Sequence, residues 1–265
     1  MSISRWLLVP LLLMVASLAT ACGGGSGPNE RVTITVAAAS DLRPAFEELG
    51  RLFGEKCSCE VVFSFGSSGT LATQIKAGLN VDVFASADTA YVDDLDKSGL
   101  ILLETKQLYA IGRIVFAVPA SSSLQLTSLN DLLRAEFRKI SIANPEHAPY
   151  GRAAKQALEK QGIWGAIQSR IVLGENASLA TQYVQTQNAE AGIVPLSLAI
   201  QAKDTLRYVI IDESMHEQMR QVAAVTRGSK HADVAKGFLA YVSAPEGREV
   251  MRKYGFVLPG ETVAR

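Results

Sequence analysis

The sequence predicts an α/β fold in two lobes, with mostly parallel sheets flanked by helices. Three observations lead there. Short β-like runs alternate with amphipathic helical stretches over the whole chain beyond Arg31. That part is about 235 residues long, enough for one large or two small α/β units. Two extended stretches, Tyr109–Pro119 and Val222–Thr226, suit a chain that passes twice between lobes. The split they suggest places residues 31–111 and 227–265 in one lobe and residues 112–226 in the other.

Residues 1–21 read as a signal peptide. Arg5 supplies a basic start, and Trp6–Ala21 is nearly all apolar yet shorter than the ~20 residues of a permanent span. The run Leu18–Ala19–Thr20–Ala21–Cys22, followed by Gly23–Gly24–Gly25, resembles a bacterial lipoprotein cleavage site, although Ala19 stands where that pattern prefers a larger aliphatic residue. The resemblance implies lipidation of Cys22; the alternative is ordinary cleavage near Ala21. Residues 22–30 form a polar tether reaching at most ~30 Å at ~3.3 Å per residue. The expected location is outside the cytoplasmic membrane, anchored through Cys22.

The remaining elements follow in order. Val32–Ala37 is β-like, and Leu42, Phe46, Leu49, Leu52 and Phe53 recur at helical spacing. Glu60–Phe65 is a second strand, with Leu71, Ile75 and Leu79 marking a helix. Val81–Ala85 precedes an acid-rich helix, Tyr91–Lys97, stopped by Gly99. Tyr109–Pro119 is interrupted at Gly112–Arg113. Ser128–Leu133 is a short helix, Ile140–Ala143 a strand and Tyr150–Gln161 a helix. Ile171–Leu173 leads into Ser178–Thr186, and Ala191–Val194 into a turn at Leu196–Gln201. Arg207–Ile211 and Val222–Thr226 are extended, and Ala232–Val242 and Pro245–Tyr254 are terminal helices.

Charge and cysteine content narrow the function. The 26 basic and 26 acidic residues cancel, which leaves no electrostatic footprint for nucleic acid or an anionic surface. Any anion site must therefore work by local dipoles. Besides Cys22 the cysteines are Cys57 and Cys59; a bridge across Ser58 closes a small, strained ring, so two thiols are expected, with their redox state open. His147, His216 and His231 are too scattered to join them in a metal site. The acidic residues around Asp82–Asp96 lack the glycine and distal glutamate of a calcium loop.

Four strand-to-helix junctions carry the chemistry: Ala37–Asp41, Phe65–Thr70, Asn144–Gly151 and Glu175–Ser178. At each, small residues and hydroxyls precede a helix whose first N–H groups lack intrahelical partners and sit at the positive end of the dipole. Two such turns in each lobe would suit a tetrahedral dianion between them. The plain alternative is that both serines are ordinary helix caps.

The motifs Ala37-Ala38-Ala39-Ser40, Phe65-Gly66-Ser67-Ser68-Gly69-Thr70-Leu71, Asp82-Val83-Phe84-Ala85-Ser86-Ala87-Asp88, Asn144-Pro145-Glu146-His147-Ala148-Pro149-Tyr150-Gly151, Gly192-Ile193-Val194 and Tyr254-Gly255-Phe256 resemble, in order and spacing, the molybdate-binding protein family. The resemblance spans residues 31–259. It implies a periplasmic-binding-protein-like fold of type II with the ligand cleft between lobes. It also implies a monomer that binds molybdate or tungstate and delivers it to the membrane permease of an ABC importer with its cytoplasmic ATPase. No cofactor, bare metal ion, nucleic acid or enzymatic activity is implied. Residue by residue, Ser40 and Ser68 match two serines that donate through hydroxyl and backbone N–H, and Tyr150 and Ala177 match backbone donors. Asp41 and Ser67 lie beside the site, and Asp41 has only its N–H to offer an anion. The chain departs at Pro195, where some members carry a tyrosine hydroxyl; the ring of Tyr150 is a candidate to take part instead. The alternatives are a receptor for another oxyanion such as sulfate or thiosulfate, and a secreted serine-dependent hydrolase using Ser68 with His147 as base.

Overall fold

The computed structural model describes residues 31–261. The signal peptide, the tether and Cys22 lie outside the described residues.

The chain opens with β1 (Thr33–Ala39), whose side chains alternate between two apolar layers. Ile34, Val36 and Ala38 enter one, and Ala37 enters the other. Then come α1 (Arg43–Cys57), β2 (Glu60–Gly66), α2 (Ser68–Lys76), β3 (Val83–Ser86), α3 (Thr89–Lys97) and β4 (Gln107–Gly112). β1 pairs in parallel with β2 and β3.

After Arg113 the chain enters a second sheet. Its elements are β5 (Ile114–Pro119), β6 (Ile140–Ala143), α4 (Pro149–Lys160), α5 (Trp164–Ile167), β7 (Ile171–Gly174), α6 (Ala177–Gln185), β8 (Ala191–Pro195), α7 (Leu196–Gln201) and β9 (Leu206–Ile210). The strand order is β7-β6-β8-β5-β9. The chain then returns as β10 (Met219–Val225), which completes the first sheet in the order β2-β1-β3-β10-β4. It ends in α8 (Ala232–Ser243) and α9 (Pro245–Lys253), which pack on α1. Phe46 is the hub of that layer, with Phe63, Tyr109 and Phe238 rings about it at 5.8–6.1 Å.

Two sheets flanked by helices are the architecture expected, with differences in detail. Each sheet is mixed, because β10 and β5 run antiparallel to both of their neighbours. The expected boundary at Thr226 moves: β10 belongs to the first sheet from Met219 onward. Its residues feed both layers there, Val222 and Ala224 one and Ala223 and Val225 the other, so it is a central strand and not a connector. The passage back from the second sheet lies between Ile210 and Met219.

The two expected thiols are a disulfide. Ser58 takes a left-handed conformation (φ 52°, ψ 34°) at the end of α1, and this reversal brings the Cα atoms of Cys57 and Cys59 to 5.2 Å, inside the usual range for a bridge. Alkylation of the denatured, unreduced protein is expected to leave Cys57 and Cys59 unlabelled by peptide mass, and to label both after reduction. Because the loop closed is so short, reduction is expected to lower unfolding stability by no more than ~2 kcal/mol.

Candidate functional site

Ligands of open α/β sheets sit beyond the carboxyl ends of strands, and the candidate residues gather at such ends. β1 runs into a single tight turn, Ser40–Leu42, before α1. β2 runs into α2, β6 into α4 and β7 into α6. Ser40, Ser68, Tyr150 and Ala177 all line one small cavity, together with Asp41, Ser67, Ala87, Ala148 and Pro149. All four are buried, Ser68 completely. The cavity has a volume of about 10 Å³.

Local sequence explains each placement. Ser67 is the N-cap of α2: its Oγ accepts from the Thr70 N–H at 3.3 Å and bonds the Thr70 hydroxyl at 2.8 Å. Ser68 is thereby the first helical residue, with no capping duty. Its Oγ accepts from the Ala87 N–H at 3.0 Å, and the Ser40 Oγ accepts from the Ser178 N–H at 3.2 Å. A hydroxyl oxygen that accepts still holds its own proton to donate, and neither serine donates to a protein acceptor among the described residues.

The second sheet supplies the other two. Pro149 opens α4, and Tyr150 follows in the first turn, where N–H groups lack intrahelical partners. Gly151 lets that turn sit against β6: a Cβ there would lie 2.1 Å from the Ala143 carbonyl oxygen. Ala177 opens α6, capped by Asn176, whose Oδ1 accepts from the Leu179 N–H at 3.0 Å.

Several bonds join the two groups. The Ser178 hydroxyl donates to the Ser40 carbonyl at 3.1 Å, and the Ser197 hydroxyl to the Asp41 carbonyl at 2.7 Å. On the other side the Gly69 N–H donates to the His147 carbonyl at 2.9 Å, and His147 Nδ1 meets Ser67 Oγ at 2.8 Å. Arg152 pairs with Asp88, the N-cap of α3. His147 thus contacts Ser67 and not Ser68, whose oxygen is held by Ala87. The nucleophile–base contact that a hydrolase built on Ser68 needs is not formed.

Among the described residues no Lys, Arg or His lines the cavity, and Asp41 is the one carboxyl that does. Asp41 Oδ2 accepts from Gln221 Nε2 at 2.8 Å, and that nitrogen also reaches the Tyr150 hydroxyl at 3.3 Å. Burial pushes the Asp41 carboxyl up to about 7, against weaker downward pulls from hydrogen bonds with Tyr150, Gln221 and its own backbone. Burial likewise holds the phenols of Tyr150 and Tyr109 well above the usual range. Tyr150 therefore has two ends. Its backbone sits at the cavity, while its hydroxyl reaches β10 and β4 of the first sheet, 2.2 Å from where a Cβ on Gly112 would be. Pro195 ends β8 as the N-cap of α7 and does not line the cavity.

Sequence reasoning missed Gln221, Ala87 and the role of Gly112. Neither Gln221, a polar residue beside Arg220 near the start of β10, nor Ala87 carried a signal in sequence. The acidic residues near α3 are structural: Asp82 accepts from the Thr35 N–H and the Ser229 hydroxyl, and Asp93 and Asp94 pair with Lys106 and Lys76. Among the described residues no group of three His, Cys, Asp or Glu side chains is placed to hold a metal ion.

Comparison with known proteins gives a consistent neighbourhood. Residues 34–257 match the family model described as bacterial extracellular solute-binding protein. The molybdate-binding protein ModA of Escherichia coli (strain K12) is 32% identical over 247 residues, 92% of this chain and 95% of that protein. A putative ABC transporter substrate-binding lipoprotein of Bacillus subtilis (strain 168), YvgL, is 31% identical over 233 residues, 86% of this chain and 87% of that protein. The solved structure of the Azotobacter vinelandii periplasmic molybdate-binding protein superposes with a TM-score of 0.81 at 30% identity, covering 85% of this chain and 99% of that one.

The buried Asp41 makes stability depend on pH. Its carboxyl titrates near 7 in the fold and near 3.8 without it. A raised value means that the contribution is complete below the unfolded value and lost as pH climbs towards the folded one, on the order of 4 kcal/mol in all. Asp41→Asn is expected to flatten the fall in denaturant midpoint between about pH 5 and about pH 7.5; an unchanged slope would assign the titration elsewhere.

Proposed function

Because the chain belongs to the bacterial extracellular solute-binding protein family, in its molybdate-binding group, we propose that it captures molybdate outside the cytoplasmic membrane. Tungstate, equal in charge and shape, is the second ligand of the same site. The bound anion passes to the permease of an ABC importer, driven by its cytoplasmic ATPase, and the protein acts as a monomer without a cofactor. Lipidated Cys22 and the tether hold it at the membrane. The units built on the two sheets act as lobes that close on the ligand, with the hinge at Gly112–Ile114 and in the segment between Ile210 and Met219.

The observation that supports this reading most is the convergence of Ser40, Ser68, Tyr150 and Ala177 on one buried cavity lined by no cation. Molybdate and tungstate are fully deprotonated dianions at neutral pH and only accept hydrogen bonds. The hydroxyls of Ser40 and Ser68 keep protons to give, and the first turns of α2, α4 and α6 offer N–H groups with the dipole's positive end. Each bond to a charged acceptor contributes ~1.5–3 kcal/mol, so a handful, offset by desolvation and closure, exceeds the ~8 kcal/mol of a micromolar complex. Sulfate has the same charge with shorter bonds, so discrimination rests on the size of the cavity.

Titration calorimetry is expected to give binding heat with molybdate and tungstate and none with excess sulfate; a preference for sulfate would sink the reading. Ser40→Ala and Ser68→Ala are each expected to weaken molybdate binding about tenfold, from the loss of one charge-assisted hydrogen bond. Ser67→Ala, which removes a helix cap, is expected to cost about 1 kcal/mol of stability and to affect affinity less than Ser68→Ala.

A further inference from the structure

Asp41 is the one group of the cavity that the proposed function leaves unused and that opposes it. A dianion held by Ser40 would have a carboxylate from the next residue in the same cavity lining, with 1% of Asp41 exposed to solvent. Every group that faces Asp41 is uncharged: Gln221 from β10, the Tyr150 hydroxyl from α4 and the Tyr109 hydroxyl from β4, while Ser197 from α7 bonds only its backbone carbonyl. No ion pair involves Asp41 among the described residues. The cluster also holds unmatched polar atoms: Asp41 Oδ1, Gln221 Oε1 and the Tyr109 hydroxyl are buried without partners among the described residues. A proton on the carboxyl turns one of these unmatched atoms into a donor and removes the buried charge.

We propose that Asp41 is a proton site coupled to the anion site, so that the protein takes up one proton from solvent together with each dianion. This rests on the proposed capture of an oxyanion. The coupling runs through burial. In the fold burial alone holds the Asp41 proton up to about pH 7, and a dianion beside it disfavours the carboxylate further, so above that pH anion and proton bind together. Gln221 and Tyr150 are the positioning groups: one amide nitrogen touches both the carboxyl and the phenol, tying Asp41 to the helix that brings Tyr150 to the cavity. The dianion adds to the desolvation that already holds the proton on Asp41.

The test is calorimetric titration of the mature wild-type protein with micromolar sodium molybdate in two buffers of different ionisation heat at about pH 8, repeated from about pH 7.5 to about pH 8.5. Uptake close to one proton per molybdate is expected, with Kd rising close to tenfold per pH unit, because the proton is bound only in the complex across that window. Asp41→Asn, checked by its thermal transition, is expected to show no proton uptake and a Kd flat with pH. The wild-type buffer series stands even if that variant does not fold. His147, which bonds Ser67 at the same cavity, is retained in Asp41→Asn. Uptake that persists in the variant overturns the assignment to Asp41. Molybdate binding without proton uptake in the wild type overturns the proton site and leaves the proposed ligand standing, whereas absence of molybdate binding overturns both.

Discussion

The first N–H groups of a helix have nowhere to go within the helix, and this constraint organises the molecule. α2, α4 and α6 begin at the carboxyl ends of β2, β6 and β7, so three sets of unpaired donors point the same way. Burying them without partners costs free energy, and the structure answers locally wherever it can: Ser67 caps α2, Asn176 caps α6 and Pro149 removes a donor from α4. What remains unanswered is confined to the few positions that line the cavity. The site is therefore what is left over once the helix starts have been capped. Gly151 belongs to the same economy of space, since any side chain there would push the first turn of α4 off β6.

The contacts that hold the two sheets' units together are numerous and individually weak. Arg152–Asp88 is a half-exposed ion pair of the kind that contributes ~0–1 kcal/mol, and the serine and glycine bonds across the cavity are neutral, each worth ~0.5–1.5 kcal/mol net. A set of this size is large enough to define one closed geometry and small enough to be broken and remade. The terminal helices add stiffness elsewhere: α8 locks α1 through the Phe46, Phe53 and Phe238 rings, and α9 packs beside it. Rigidity thus lies behind the first sheet, and the adjustable contacts lie between the two groups of site residues.

Much of this was legible in the chain because it depends on neighbours in sequence. Ser40 and Ser68 stand out as hydroxyls at strand-to-helix junctions, and the break at Gly112–Arg113 marks where one extended run becomes two strands in different sheets. What was hidden depends on distant partners. β10 resembles a connector until β3 and β4 are placed on either side of it. Gln221 is an unremarkable polar residue until Asp41 and Tyr150, far away in sequence, are brought to its amide. The Cys57–Cys59 bridge turns on one backbone angle at Ser58, a serine in a conformation that composition does not announce. Pro195 was visible as a missing donor, but only the structure shows that the phenol of Tyr150 is engaged with Gln221 and Gly112 rather than standing in for it.

The absence of Lys and Arg from the cavity lining has a consequence for the medium in which the protein works. Attraction between mobile surface charges fades as ionic strength rises, with a screening length of about 8 Å in physiological salt. Backbone dipoles at buried helix starts are fixed and sheltered from small ions, and a chain of zero formal charge neither draws anions in from afar nor repels them. A cavity of this construction gives up less of its attraction to salt than one lined by mobile surface charges. For a site of this kind, salt in the surroundings is then a weaker influence on occupancy than it is for a site built on surface lysines and arginines.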